Sequence, residues 1–430
     1  MFRTLFQASV EELAAESHAR QYDCVVVGGG SAGLTAARTL SEAGAKVVVL
    51  EAGTVPFLTH ITNTELRFNR ALSDNIRRQT EYNQVLSSGS GRFGPNFSCL
   101  GGRGLFWNGA SPRFQPHDFE HWPISSEDLE EEYLWAEAEF RVSNQLGKSA
   151  LGEILIEKLK AAGLAAIPGP FAADLGSIEN GRMSAGVASG LSVFLRGAGG
   201  AVANGGVRIA TGAQATHLLL QSGAVRGVVV QEGSGQPFEI LSRSVVLAAG
   251  CVESIRIAGV SDVPDLHERI GKGLQDHIFF RTNSDAPHLY NATAPDSSVV
   301  FVPSSSLYGE QWEVHAPGRR LFSTDDGSSW DPKPGADYQL MIRSFAATEK
   351  RKENFVVPQE GPLGSSVVNF KLSDADNESK ARIAETFGTI ATALGLTVNE
   401  SVFAGPGGSY HEAGGLDMGT DPRISVTNPE

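Results

Sequence analysis

Tyr22-Asp-Cys-Val-Val-Val-Gly-Gly-Gly-Ser-Ala-Gly33, then Leu34-Thr-Ala-Ala-Arg-Thr-Leu-Ser-Glu-Ala-Gly44, then Lys46-Val-Val-Val-Leu-Glu-Ala-Gly53 is the stretch that decides the fold. The apolar run Cys24 to Val27 reads as a parallel strand covered on both faces. Gly28, Gly30 and Gly33 match the pattern G-x-G-x-x-G. Gly28 permits a tight turn, Gly30 lets backbone approach a pyrophosphate, and Gly33 lets a helix pack closely on the strand. Leu34 to Glu42 is helical in composition, Gly44 stops it, and Val47 to Leu50 forms a second buried strand. Glu51 ends that strand, where an acidic side chain takes ribose hydroxyls. Strand, turn, helix, strand and acid arrive in order. The stretch binds a dinucleotide.

Working outward, 430 residues suit two domains better than one. A net charge of -14 argues against nucleic acid and anionic membrane surfaces, which call for a basic face. Cys24, Cys99 and Cys251 form no C-x-x-C pair, which speaks against a dithiol centre or zinc cluster and for a reducing, cytoplasmic setting. Cys99 reads as a buried small hydrophobic group rather than a point of covalent attachment. No apolar run approaches the ~20 residues that span a bilayer. The first residues turn polar too soon for a secretory signal, and Ser9 with Glu12 opens a short helix, Val10 to Arg20. The 49 glycines gather at 28–33, 89–104, 197–206 and 405–419, places where backbone approaches a ligand.

Further along, Gly-rich sequence alternating with aromatics from Cys99 to Arg113 suggests a loop pressed on a large flat ligand. Ser125 caps a helix that runs to Phe140. Val207 to Ala210, Ala215 to Leu220, Val225 to Gln231 and Phe238 to Leu241 read as an antiparallel meander. Ser244 to Gly250 reads as a separate buried strand. Short strand-like pieces follow at Ser298 to Val302 and Tyr338 to Ile342. Ser365 to Leu372 reads as a strand, and Asn377 to Leu394 as an amphipathic helix ended by Gly395.

In this order, Val25 to Gly53, Gly101 to Arg113, Trp122 to Glu139, Ser244 to Ser254, Gly271-x-Gly-Leu-Gln-Asp-His277 and His411-x-x-Gly-x-x-x-Met-Gly419 resemble the glucose-methanol-choline family of flavin oxidoreductases. The resemblance implies FAD. Gly28, Gly30, Ser31, Ala32 and Gly33 would hold its pyrophosphate and Glu51 its ribose. Gly102, Asn108, Gly109, Ala110 and Ser111 would lie in the flavin loop, and Ala215 would meet adenine through backbone. His411 matches the catalytic histidine beside flavin N5, and His277 is given a structural role. The implied reaction removes a hydroxyl proton and a hydride from the CH–OH group of a small alcohol or sugar, with oxygen or a quinone as final acceptor.

Two details depart from the family. Gly414-Gly415 stands where Gly-Thr is usual, and Asp417 where a basic residue is common. Little sequence follows His411, so the chain reads as lacking the segment that brings a second His or Asn. The competing expectations are a truncated or non-catalytic flavin fold that binds FAD weakly or not at all, and a nicotinamide-dependent dehydrogenase. The expected fold class is α/β. A Rossmann-like FAD domain draws on 1–115, 200–275 and 405–430; a second α+β substrate domain built on an antiparallel sheet draws on 116–199 and 276–404.

Overall fold

The computed structural model describes residues 8–88, 91–179, 182–183, 186–197, 206–261, 263–264, 268–290, 297–305, 309–316 and 339–429. Most of the glycine cluster at 197–206, residues 89–90 of the cluster at 89–104, the first seven residues and Tyr338 lie outside these.

The first sheet runs in the order Val207–Thr211, Val47–Glu51, Tyr22–Val27, Pro237–Leu247, Ala224–Glu232, Ala213–Gln221. Its first four strands are parallel, with Val25 opposite both Val48 and Val245. Both faces are covered, which explains the unbroken apolar runs. On one face Val10, Leu13 and Ala14 pack on Val25, Val27, Val48 and Leu50. On the other, Leu34, Ala37, Leu191 and Phe194 pack on Val26, Val47 and Val49.

Two strand expectations are corrected here. Val207–Thr211 is not part of the meander; it pairs in parallel with Val47–Glu51 at the sheet edge. Ser244 to Gly250 is not a separate strand either. The single strand Pro237–Leu247 pairs antiparallel with Ala224–Glu232 through Leu241, then parallel with Tyr22–Val27 from Ser242 onward. One strand thus serves the antiparallel hairpins and the dinucleotide sheet, and sequence patterning has no signal for a partner switch within a strand.

The second sheet is antiparallel, in the order Thr397–Phe403, His277–Asp285, Gln339–Ala347, Glu310–Ala316, Ser298–Val302, Ile167–Pro168. Ile278, Phe280, Val300, Trp312, Val314 and Ile342 on one face form a core with the helices Ala150–Ala161 and Asp374–Leu394. By the two-residue alternation of strands, His277, Glu313, His315, Arg343 and Phe345 stand on the opposite face. The helix expected from Asn377 begins earlier, at Asp374. Ser373 accepts from the Asp376 N–H at 3.1 Å, and Gly395 ends the helix at φ +62°.

A third sheet joins Phe355–Val357, Val367–Asn369, Glu81–Leu86 and Arg92–Phe97. It packs on the helix Cys251–Val260 through Phe93, Val252, Ile255 and Val356. The strand expected over Ser365 to Leu372 is only Val367–Asn369. This sheet ties 355–369, on the substrate side of the expected division, to 81–97 on the other.

Candidate cofactor cavity and histidine pair

A cavity of about 560 Å³ opens beside the ends of the parallel strands, within the size range of small-molecule sites. Gly28, Gly30, Ser31, Ala32, Glu51, Gly102 and Ala215 all line it. The glycines do different work. A Cβ on Gly28 (φ +105°) would lie 2.3 Å from the Ala248 carbonyl oxygen, and one on Gly33 would lie 2.0 Å from that of Gly28. A Cβ on Gly30 would meet no protein atom within 4 Å, so it would point into open space. Gly28 and Gly33 shape the turn, and Gly30 leaves the cradle open for a ligand. Gly33 itself does not line the cavity.

Glu51 is buried, with Oε2 accepting from the Gly29 N–H and Oε1 from the Gly53 N–H, each at 2.8 Å. Burial pushes its carboxyl pKa up, and the two N–H donors oppose that rise. Cys99, in the same wall, has its thiol pushed up to about 12 by burial, with the Glu51 charge adding to the shift.

Asn108, Gly109, Ala110 and Ser111 do not line this cavity. Asn108 Oδ1 accepts from the Ala110 N–H at 3.0 Å, ordering its own turn, while its Nδ2 donates to Glu313 at 3.3 Å. Gly109 faces Phe171, Ala110 bridges to Phe171, and Ser111 donates its N–H to the Pro170 carbonyl. The segment turns toward the second sheet.

His411 also lies off the cavity wall, but its neighbour Glu412 is in it. Arg103 makes a two-pronged ion pair with Glu412, with Nη2 to Oε1 at 2.9 Å, and donates to the Tyr410 carbonyl and to Asn96. Asp276 holds the same loop from the other side: it accepts from the Gly407 N–H at 2.8 Å and from the Ser409 hydroxyl. Ser409 Oγ in turn accepts from the His411 N–H at 3.1 Å. Next to Asp276, His277 meets His411 with their Nδ1 atoms 2.9 Å apart, and Phe345 stacks on His411 at 5.0 Å between ring centres.

The family model for GMC oxidoreductase matches residues 22–279, more than half of the chain. The chain belongs to the GMC oxidoreductases. Among solved structures, pyridoxine 4-oxidase from Mesorbium loti is similar with a TM-score of 0.65 and 19% sequence identity. That likeness covers 95% of this chain and 91% of that one, and at such identity it speaks for the fold alone. None of the curated proteins compared matches the sequence. The α/β class with a Rossmann-like dinucleotide domain stands, as does the family resemblance. No helix among the described residues is long and apolar enough to cross a membrane.

In this GMC oxidoreductase no spacing within either motif signals that His277 and His411 touch. His277, given a structural role from the sequence, packs directly against His411. Desolvation by the protein around His411, with His277 beside it, brings its pKa down to about 4, although the residue remains exposed at one side. Burial brings His277 down to about 4 as well. Both rings are therefore neutral at pH 7, so one Nδ1 donates and the other accepts. Burial alone would raise Glu313, yet a hydrogen bond from His315 at 3.0 Å and the charges of His315 and Arg343 hold it below the usual carboxylate range.

The sign of the resulting pH dependence follows from linkage. Folded, the two histidines take up protons near pH 4; in the unfolded chain they do so near ~6.5. Between those values the unfolded chain binds more protons, so their contribution to stability falls as pH is lowered through that window. We predict that a doubly substituted His277→Gln/His411→Gln protein gains melting temperature relative to the wild type as pH drops from 7 to 4.5. A difference that stays constant over that range would refute the shared neutral state.

The partners that hold His411 (Asp276, Ser409, Arg103 and Glu412) were missed from sequence. Arg103 and Glu412 lie more than 300 residues apart, and no local pattern pairs them. Asp276 was visible only as the residue before His277.

Proposed function

We propose that the chain is an FAD-dependent oxidoreductase acting on the CH–OH group of a small alcohol or sugar, with His411 as base. The observation that carries this reading is His411 held against His277, one residue from a carboxylate in the wall of a glycine-cradled cavity. Bound FAD would supply a hydride acceptor. The open cradle at Gly30, with Ser31 and Ala32, fits a pyrophosphate. Each Glu51 oxygen accepts one N–H and retains a lone pair for a ribose hydroxyl. Gly102 and Ala215 bring backbone to the same space. Asn108 to Ser111 would act on the histidine side of the site, since Asn108 reaches Glu313.

A neutral His277 accepting from His411 Nδ1–H leaves His411 Nε2 unprotonated and able to take the hydroxyl proton. The charge formed on His411 is then offset by the buried Glu313 carboxylate, one of the charges felt at that ring. We assign 116–199 and 276–404 to a substrate domain and the remaining stretches to the cofactor domain, in a cytoplasmic protein that reoxidises with oxygen or a quinone.

The test is an absorption spectrum of the purified chain, recorded without oxygen before and after a panel of alcohols and sugars. Flavin bands that bleach with one class are the expected result. Flavin that no alcohol or sugar bleaches would overturn the reaction class, and NAD-dependent turnover without bound flavin would overturn the cofactor. Readmitting oxygen, or adding a quinone, to the bleached protein identifies the acceptor.

A further inference from the structure

A second buried ion pair in the wall of the cavity belongs neither to the glycine cradle nor to the histidine pair. Arg256 is 1% and Glu253 3% exposed, and both line the cavity. They sit one turn apart on Cys251–Val260, with Arg256 Nε donating to Glu253 Oε2 at 2.6 Å. Removing two charges from water is costly, and an apolar pair of similar volume often serves stability equally well. The use of the pair is visible in what Arg256 does with its other nitrogens.

The strand Ala213–Gln221 carries an irregularity at Thr216. Its pairing to Ala224–Glu232 steps from Ala215 opposite Val230 to His217 opposite Val229. Arg256 Nη2 donates to the Ala215 carbonyl at 3.0 Å and Nη1 to the Thr216 carbonyl at 3.2 Å. A turn later, Ser261 Oγ accepts from the Leu218 N–H at 2.7 Å. The helix and its C-terminal Ser261 therefore grip the bulged strand on both sides of the irregularity, where the ladder is locally disrupted. Glu253 also holds a distant segment: its Oε1 accepts from the Gly364 N–H at 3.4 Å, and Leu363 lines the cavity. Ala213, Gln214 and Ala215, just before the bulge, line the space.

We infer that Arg256 and Glu253 are positioning residues for a purine subsite, fixing the backbone of 213–216 at the bulge and the 363–364 segment around the base of an adenine dinucleotide. The inference rests on the FAD reading. It is specific in one respect: the pair acts on the adenine half of the cofactor and not on the ring half.

The test is calorimetric titration of the full chain, stripped of flavin, with FAD, ADP and FMN. Arg256→Gln should weaken ADP and FAD by about tenfold or more, the loss of bonds to a charged donor, while FMN stays within about twofold. Arg256→Lys, which keeps the charge and part of the bonding, should recover part of the ADP affinity. The variant E253L/R256M guards against misfolding, since apolar replacement of the whole pair removes the buried charges together. It too should lose ADP selectively. Folded variants with unchanged ADP affinity, or with ADP and FMN weakened equally, would overturn the assignment. A wild-type chain that binds neither FAD nor ADP would instead remove the cofactor reading, and this inference with it.

Discussion

Replacing His411 with glutamine is expected to slow reduction of bound flavin by about 10²- to 10⁴-fold, the usual contribution of a positioned acid–base group, while the protein remains yellow. The two halves of that result have separate causes. His411 does not line the cavity, and the groups next to it that do, Glu412 and Ala413, are held by Arg103 and by the Gln275–Ala413 bridge. Removing the imidazole therefore leaves the cofactor wall intact. Glutamine keeps a donor toward His277 but cannot take a proton. The pH profile separates a base from a packing residue. With His411 brought down to about 4, the wild-type rate should stay level from pH 8 to about 5.5 and fall only on approach to pH 4. A profile that instead falls through pH 6.5 would place the working proton on a different group. Rapid-mixing measurement of flavin bleaching without oxygen reads both effects, because reoxidation is then absent. Bleaching within threefold of wild type in His411→Gln would sink the assignment of the base.

How much of this was legible beforehand follows the range of each interaction. The stretch from Tyr22 to Gly53 was readable nearly whole because its information is local. Buried parallel strands are continuously apolar, a tight turn needs glycine, and Gly44 stands at φ +88° just past the helix it ends. The cap at Ser9 was equally local: its Oγ accepts from the Glu12 N–H at 3.1 Å. The strand Pro237–Leu247 was split in two because pairing partners are a tertiary property, and Ser242 carries no mark of the switch. The site divided along the same line. Gly28, Gly30, Ser31 and Ala32 of the glycine turn line the cavity, and Gly33 packs behind it. Asn108 to Ser111 go elsewhere because Phe171 and Pro170 pair with that segment from a distant part of the chain. The histidine contact spans 134 residues, and no spacing within either motif encodes it.

The glycine cradle yields the second large effect, and the contrast between two neighbouring glycines makes it decisive. Gly30 has φ -75° and ψ -177°, extended backbone open to any residue, and an added Cβ meets nothing of the protein. Gly30→Val should therefore fold with a melting temperature close to wild type, yet come out colourless, because the side chain fills the space reserved for the cofactor. We expect flavin affinity to drop by about a hundredfold or more, roughly 2.7 kcal/mol. Gly28→Ala fails by another route: φ +105° is strained for any side chain, and the Ala248 carbonyl 2.3 Å away belongs to the chain just beyond the strand Pro237–Leu247. That variant should lose melting temperature and flavin together, since the tight turn is what brings the two segments into contact. Thermal unfolding and the ratio of flavin to protein absorbance measure both variants in one preparation. A yellow Gly30→Val protein with full flavin content would show that the cofactor lies outside this cavity, whatever the glycine pattern implies. Loss of colour in Gly30→Val with an unchanged melting curve separates a ligand cradle from a packing requirement, and that separation is what a G-x-G-x-x-G pattern alone leaves open.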